Sequence, residues 1–110
     1  MKSYLIDEIS FSEIEKIKRY LSENAKKSEL EKLFWVEMSK GYLNREQSLH
    51  RECQPYRFAI EIGDNWIKAE FFIRASGRLM CSCNGYCDLN QRNFILDFME
   101  NMIEELNIRS

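Results

Sequence analysis

The stretch Tyr56–Asp88, YRFAIEIGDNWIKAEFFIRASGRLMCSCNGYCD, decides the predicted fold because apolar and polar residues alternate along three short runs. Alternation with period two is typical of β-strands that bury one face. Two segments rich in turn-forming residues, Gly63–Asn65 and Ala75–Gly77, separate the runs. The stretch therefore predicts an antiparallel meander of three strands.

The turn at Asp64 and Asn65 sets the register of the first predicted hairpin. It places three apolar pairs on the core face and one pair of opposite charges on the outer face. The pairs are Ile62 with Ile67, Ile60 with Ala69, Phe58 with Phe71, and Glu61 with Lys68.

The second predicted hairpin turns through three residues, with Gly77 in the left-handed region that glycine adopts readily. This register pairs Ile73 with Leu79, Phe71 with Cys81, and Ala69 with Cys83. Both cysteines then face the core, where a free cysteine behaves as a small apolar residue.

The same register places an apolar spot, formed by Ala59, Phe72 and Met80, on the charged outer face of the sheet, with Phe72 opposite Met80. An apolar spot among charges indicates that something covers it. We expect the N-terminal segment to cover it, and the alternative is an interface with a second copy of the chain or with another protein.

Helix start signals complete the predicted architecture. Three capping boxes, in which two residues three apart cap a helix N-terminus, are Ser10 with Glu13, Asn44 with Gln47, and Asp88 with Gln91. The last helix has a broad apolar face that can cover the core side of the sheet. Its members are Phe94, Ile95, Phe98, Met99, Met102, Ile103 and Leu106.

The segment Leu33–Met38 contains aromatic and β-branched residues, which favour a fourth strand. The alternative is a single helix that ends at Gly41. The prediction is an α+β fold: a two-layer antiparallel meander of three or four strands, covered on one face by the C-terminal helix, with N-terminal helices. We expect residues 1–110 to form one domain.

Composition narrows the classes of function. The 110 residues include 16 basic and 18 acidic side chains, so the net charge of −2 gives no electrostatic attraction to nucleic acids or anionic lipids. The N-terminal sequence lacks an export signal and no run is long enough to span a membrane. We therefore expect a cytoplasmic protein with reduced cysteines.

The pattern His50-x2-Cys53 followed by Cys81-x-Cys83 suggests a metal site, because thiolate and imidazole are the ligands that zinc prefers. The predicted register argues against it. Cys83 lies level with Ile60, about 13 Å along the first strand from the end that Cys53 precedes, as the rise per residue of a strand requires. Buried thiols with a surface histidine are therefore the favoured interpretation, and zinc is the alternative.

Cys87 directly precedes the predicted cap of the last helix, where helix amides favour a reactive thiolate and a redox role together with Cys83. The neighbouring Asp88 carboxylate opposes this effect. An ordinary loop cysteine is the alternative.

No motif for a catalytic triad, phosphate-binding loop or dinucleotide site is present, and we expect no enzymatic activity. The β-β-β-α order over Tyr56–Ile108, about half of the chain, is similar in layout to small acidic secretion-chaperone-like proteins, although no motif assigns the chain to a family. That resemblance implies a dimeric protein-binding module. The predicted function is a non-enzymatic interaction or regulatory module, and the alternative is a metal- or thiol-dependent protein that uses the Cys/His residues.

Overall fold

The computed structural model describes residues 2–109 and has the predicted α+β architecture. Within these residues the chain forms seven strands, three α-helices and two short 3-10 helices. The strands are β1 (Ser3–Ile6), β2 (Lys26–Lys27), β3 (Leu33–Glu37), β4 (Tyr56–Ile62), β5 (Ile67–Glu70), β6 (Phe72–Ala75) and β7 (Gly85–Tyr86). The α-helices are α1 (Phe11–Asn24), α2 (Arg45–Leu49) and α3 (Leu89–Glu105), and the 3-10 helices are Lys40–Tyr42 and Arg51–Cys53.

The strands form one antiparallel sheet that is larger than the predicted meander. Its main path runs β1-β5-β4-β3-β2, and β6 pairs with both β4 and β7. The predicted fourth strand is confirmed as β3. The N-terminal segment does not cover the outer face as expected, because β1 instead pairs edge to edge with β5.

The register of the first hairpin is confirmed at Ile62–Ile67, Ile60–Ala69 and Glu61–Lys68. The charged pair forms a salt bridge with 3.4 Å between Lys68 Nζ and Glu61 Oε1. The extension of this register to Phe58 and Phe71 is wrong. The chain bends at Phe71, and beyond it Arg57 pairs with Arg74 and Tyr56 with Ala75.

The predicted second hairpin is wrong. β6 pairs with β7, so that Phe72 lies opposite Tyr86 and Ile73 opposite Gly85. Residues Ser76–Asn84 leave the sheet as a loop, which we call the cysteine loop, and Gly77 does not adopt positive φ. Met80 lies in this loop with 93% of its surface exposed, and it does not pair with Phe72.

Asn84 gives the physical reason for the loop. Its side-chain oxygen accepts a hydrogen bond of 2.6 Å from the Ala75 amide, and its side-chain nitrogen donates one of 2.8 Å to the Leu79 carbonyl. These contacts replace the ladder that would have continued the hairpin. The Cys-x-Cys spacing has the same period of two as a strand, so the sequence pattern alone did not separate the two structures.

The core lies between the sheet and the helices α1 and α3. Phe58 on β4 is fully buried, and its ring contacts Phe94 and Phe98 edge to face at 6.4 and 6.0 Å between centroids. All three predicted capping boxes are confirmed at the starts of α1, α2 and α3. Over residues 2–109, no helix combines the length and the apolar composition that a bilayer crossing requires.

Candidate metal centre

Four potential metal ligands, His50, Cys53, Cys81 and Cys83, meet at the end of β4 where the chain enters the sheet. One ligand atom from each residue lies within 4.8 Å of those of the other three. Cys53 and Cys83 are buried, and His50 and Cys81 are half-buried.

The first two ligands lie on one short helical segment. The capping box of Asn44 and Gln47 starts α2, and His50 is the C-cap residue directly after α2. The 3-10 helix Arg51–Cys53 follows at once, and the Cys53 amide donates a hydrogen bond of 3.0 Å to the His50 carbonyl. This turn places the imidazole and the first thiol on the same side of the segment.

The cysteine loop brings the other two ligands to this segment. The Gly77 amide donates a hydrogen bond of 3.0 Å to the Cys53 carbonyl, and the Ser76 amide donates one of the same length to the Pro55 carbonyl. A Cβ atom at Gly77 would collide with the carbonyl oxygens of Glu52 and Gln54. Glycine is therefore required here for close approach of two backbones and not for left-handed geometry.

Short contacts connect the ligand atoms with each other and with one buried tyrosine. His50 Nδ1 lies 3.2 Å from Cys81 Sγ, and the Cys83 amide donates to the same sulfur at 3.5 Å. The hydroxyl of the fully buried Tyr56 donates to Cys83 Sγ at 3.1 Å. The Cys83 amide and the Tyr56 hydroxyl stabilise negative charge on the sulfur that each contacts, and the thiolate is the form that binds metals.

The thiols differ in their acidity. The Cys83 amide, the Cys83 side chain and His50 hold the pKa of Cys81 down, at about 6. Burial, followed by contacts with Cys81 and Cys83, raises the pKa of Cys53 to about 12. Burial likewise raises the pKa of Cys83. Of the three clustered thiols, Cys81 therefore loses its proton most readily.

The separation that the sequence predicted between Cys53 and Cys83 is wrong. It assumed that Cys83 continued the strand ladder beside Ile60, whereas the cysteine loop folds back over the start of β4. All four residues of the predicted ligand set therefore meet at one place. Cys81 and Cys83 lie on the cysteine loop and not on a strand, although Cys83 is buried in the core as expected and Cys81 packs against it.

Cys87 lies outside this group. It lines an open groove of about 610 Å³ between the N-terminal strand and the start of α3, together with Lys2, Phe71 and Arg92. Burial, with a further contribution from the Asp88 carboxylate, raises the pKa of Cys87. This direction is opposite to the one that helix amides were expected to give.

Sequence reasoning missed three residues that support the site: Tyr56, Gln47 and Gln91. The two glutamines were identified as members of capping boxes, but their side-chain nitrogens make further contacts. Gln47 Nε2 donates to the Cys83 carbonyl at 3.2 Å, and Gln91 Nε2 donates to Gln47 Oε1 at 2.7 Å. No local sequence pattern indicates contacts between residues so far apart in the chain.

Comparisons with models of protein families, with curated proteins and with solved structures find no match to this chain.

Proposed function

We propose that the protein binds one zinc ion through His50, Cys53, Cys81 and Cys83, and that this ion holds the cysteine loop against the segment that follows α2. The observation that carries the proposal is the mutual approach of the four donor atoms to within 4.8 Å. A tetrahedron with zinc–sulfur bonds of about 2.3 Å has sulfur–sulfur edges of about 3.8 Å, so small side-chain adjustments would close the group around an ion.

The donor set favours zinc. Three sulfurs and one imidazole nitrogen are a common set of ligands in structural zinc sites, and soft thiolates disfavour calcium and magnesium. His50 would bind through Nδ1, the ring nitrogen that faces Cys81.

The arrangement supports a structural role for the ion. Catalytic zinc sites keep one coordination position for water or substrate, whereas four protein ligands fill the tetrahedron. Cys53 and Cys83 are 0% and 3% exposed, so solvent has little access to their side of the group. The ion would connect two segments that are distant in sequence and share few backbone hydrogen bonds.

Metal analysis of the purified protein tests this proposal. We expect one equivalent of zinc per chain after purification without added metal or chelator, or stoichiometric uptake by the reduced apoprotein. Cys53→Ser is expected to abolish tight binding, because it removes the fully buried thiolate from the four ligands. Cys87→Ser is the matched control and is expected to retain the metal.

Wild-type protein that neither carries zinc nor takes it up would refute the proposal. A disulfide between two of the three clustered sulfurs under the same conditions would instead favour the thiol-redox alternative.

We also propose, as a second candidate, that the chain is a non-enzymatic protein-interaction module that forms a homodimer. Exposed apolar side chains on the cysteine loop favour this idea, since Leu79 and Met80 are 65% and 93% exposed. Phe72 and Ala59, the other members of the predicted apolar spot, lie on β6 and β4, where they pair with Tyr86 and Trp35 and not with Met80. Light scattering after size exclusion tests it: a monomer at every accessible concentration would exclude the homodimer.

A further inference from the structure

Two buried glutamines link the ligand segments and the start of α3. Gln47 and Gln91 are 1% and 0% exposed, and they are the two buried polar residues among residues 2–109. Buried polar groups are costly unless they are paired, so their hydrogen bonds constrain the structure around them.

The hydrogen bonds run in one direction. The Asp88 amide donates to Gln91 Oε1 at 3.1 Å, which leaves Gln91 Nε2 to donate to Gln47 Oε1 at 2.7 Å. Gln47 Oε1 also accepts from the Asn44 amide at 3.1 Å. Gln47 Nε2 therefore has to point to the Cys83 carbonyl, which accepts from it at 3.2 Å.

Reversal of either amide is unfavourable. A reversed Gln47 would place its NH2 group against two donors and its oxygen against the Cys83 carbonyl. A reversed Gln91 would meet the Asp88 amide with a donor. The Asp88 backbone amide thus determines which end of the Gln91 side-chain amide, and in turn of the Gln47 side-chain amide, acts as donor.

Gln47 also lies on α2, and the amide of the C-cap residue His50 donates to the Gln47 and Glu46 carbonyls. One residue therefore contacts both halves of the ligand set, through its backbone on the His50 side and its side chain on the Cys83 side.

We propose that Gln47 and Gln91 are positioning residues for the metal centre, in which Gln91 orients the Gln47 amide and Gln47 fixes Cys83 relative to α2 and its C-cap residue His50. The inference depends on the proposed zinc site. Partners that orient metal ligands in this way affect affinity, and their loss typically weakens binding by about 10–100-fold.

Substitutions that nearly preserve the shape of the side chain test the series of hydrogen bonds that runs from Asp88 through Gln91 and Gln47 to Cys83. Gln91→Glu keeps the acceptor for the Asp88 amide but faces Gln47 Oε1 with a second acceptor. Gln47→Glu keeps the acceptor for the Asn44 amide but loses the donor to Cys83. Gln47→Met has similar volume and removes all three side-chain hydrogen bonds of Gln47 without introducing a charge.

The measurement is the zinc dissociation constant of the folded, reduced apoprotein, by competition with a chromogenic chelator. We expect each variant to bind zinc about 10–100-fold more weakly than wild type. Asn93→Asp is the matched control: it makes the same amide-to-carboxylate change at an exposed side chain on α3, and we expect its affinity to stay close to that of wild type. Circular dichroism of each apoprotein establishes that it is folded.

Folded variants that bind zinc as tightly as wild type would overturn the inference, as would a loss of thermal stability with an unchanged dissociation constant. If a carboxylate variant does not fold, Gln47→Met decides the question, and its failure to fold as an apoprotein would show that the amide serves the fold itself and overturn the inference. Wild-type protein that binds no zinc would refute the proposed function instead, so the two failures are distinguishable.

Discussion

The β4–β5 hairpin and the cysteine loop are stabilised by different interactions. The hairpin has a regular backbone ladder and fully buried apolar side chains, such as Ile60 and Ile67. The loop pairs with no strand and is held by Asn84, by the approach of Gly77 to the chain after α2, and by contacts among sulfur and imidazole groups. Apolar burial therefore organises the sheet, and polar contacts between distant segments organise the site.

The largest expected effect comes from removing apolar volume under the helices. Phe58→Ala deletes a fully buried ring that contacts α3, and we expect it to lower the free energy of unfolding by about 3–5 kcal/mol, as large-to-small core substitutions do. Because the cysteine loop packs on the sheet, we expect both regions to unfold in the same transition. Chemical denaturation followed by fluorescence measures the effect.

Phe11→Ala provides the control for this substitution, because Phe11 is 76% exposed. A change of less than about 0.5 kcal/mol is expected there. A small effect of Phe58→Ala would mean that the helix layer contributes little to stability, which contradicts the division between the two regions.

Metal removal is expected to have a smaller and more local effect. If zinc holds the cysteine loop, a chelator should increase the hydrogen exchange of the Gly77 and Asn84 amides, while the amides of β4 and β5 stay protected. The reason is that the core under β4 and β5 consists mainly of apolar side chains from the strands and helices, to which the ligands contribute only Cys53 and Cys83. Exchange measured by mass spectrometry, with and without chelator, separates the two regions.

Complete unfolding on chelation, as occurs in zinc fingers, would contradict this prediction. It would show that the sheet depends on the ion and that the two regions form one cooperative unit.

The same contrast explains what the sequence could predict. The first hairpin, β3 and the three capped helices follow from local patterns, namely alternation and paired capping residues. The register of the second hairpin failed because Leu79, Cys81 and Cys83 alternate as a strand does, and nothing local shows that Asn84 closes a loop.

The candidate site was predictable as a set of residues but not as a geometry. His50, Cys53, Cys81 and Cys83 were identified by residue type and spacing. Their approach depends on the fold of the loop over β4, and the contacts of Tyr56 depend on that placement. Hydrogen bonds between residues distant in sequence leave no periodic signal.

Gly77→Ala examines the close approach of the loop to the ligand segment. The added Cβ would collide with backbone oxygens of Glu52 and Gln54, which cannot rotate away as a side chain would. We expect a loss of about 1–3 kcal/mol, the usual cost of overpacking, together with weaker zinc binding. Thermal unfolding and chelator competition measure the two effects.

Gly85→Ala is the matched control, since a Cβ at Gly85 meets no atom within 4 Å. If both substitutions have the same effect, loss of glycine flexibility rather than collision at the ligand segment would account for it.

The smallest expected effect belongs to a single hydroxyl. Tyr56→Phe keeps the buried ring and removes only the donor that lies 3.1 Å from Cys83 Sγ. Loss of one partner of a metal ligand is expected to weaken zinc binding by about 10-fold, the lower end of the usual range. In the cobalt-substituted protein the sulfur-to-metal charge-transfer band should also shift, because the Cys83 thiolate loses a hydrogen bond.

Tyr42→Phe is the control: it removes a hydroxyl from a 40% exposed residue and is expected to change neither the zinc affinity nor the charge-transfer band. An unchanged band in Tyr56→Phe would show that the hydroxyl does not affect the metal site. Tyr56 would then belong to the apolar core of the sheet and not to the cysteine loop with its ligands.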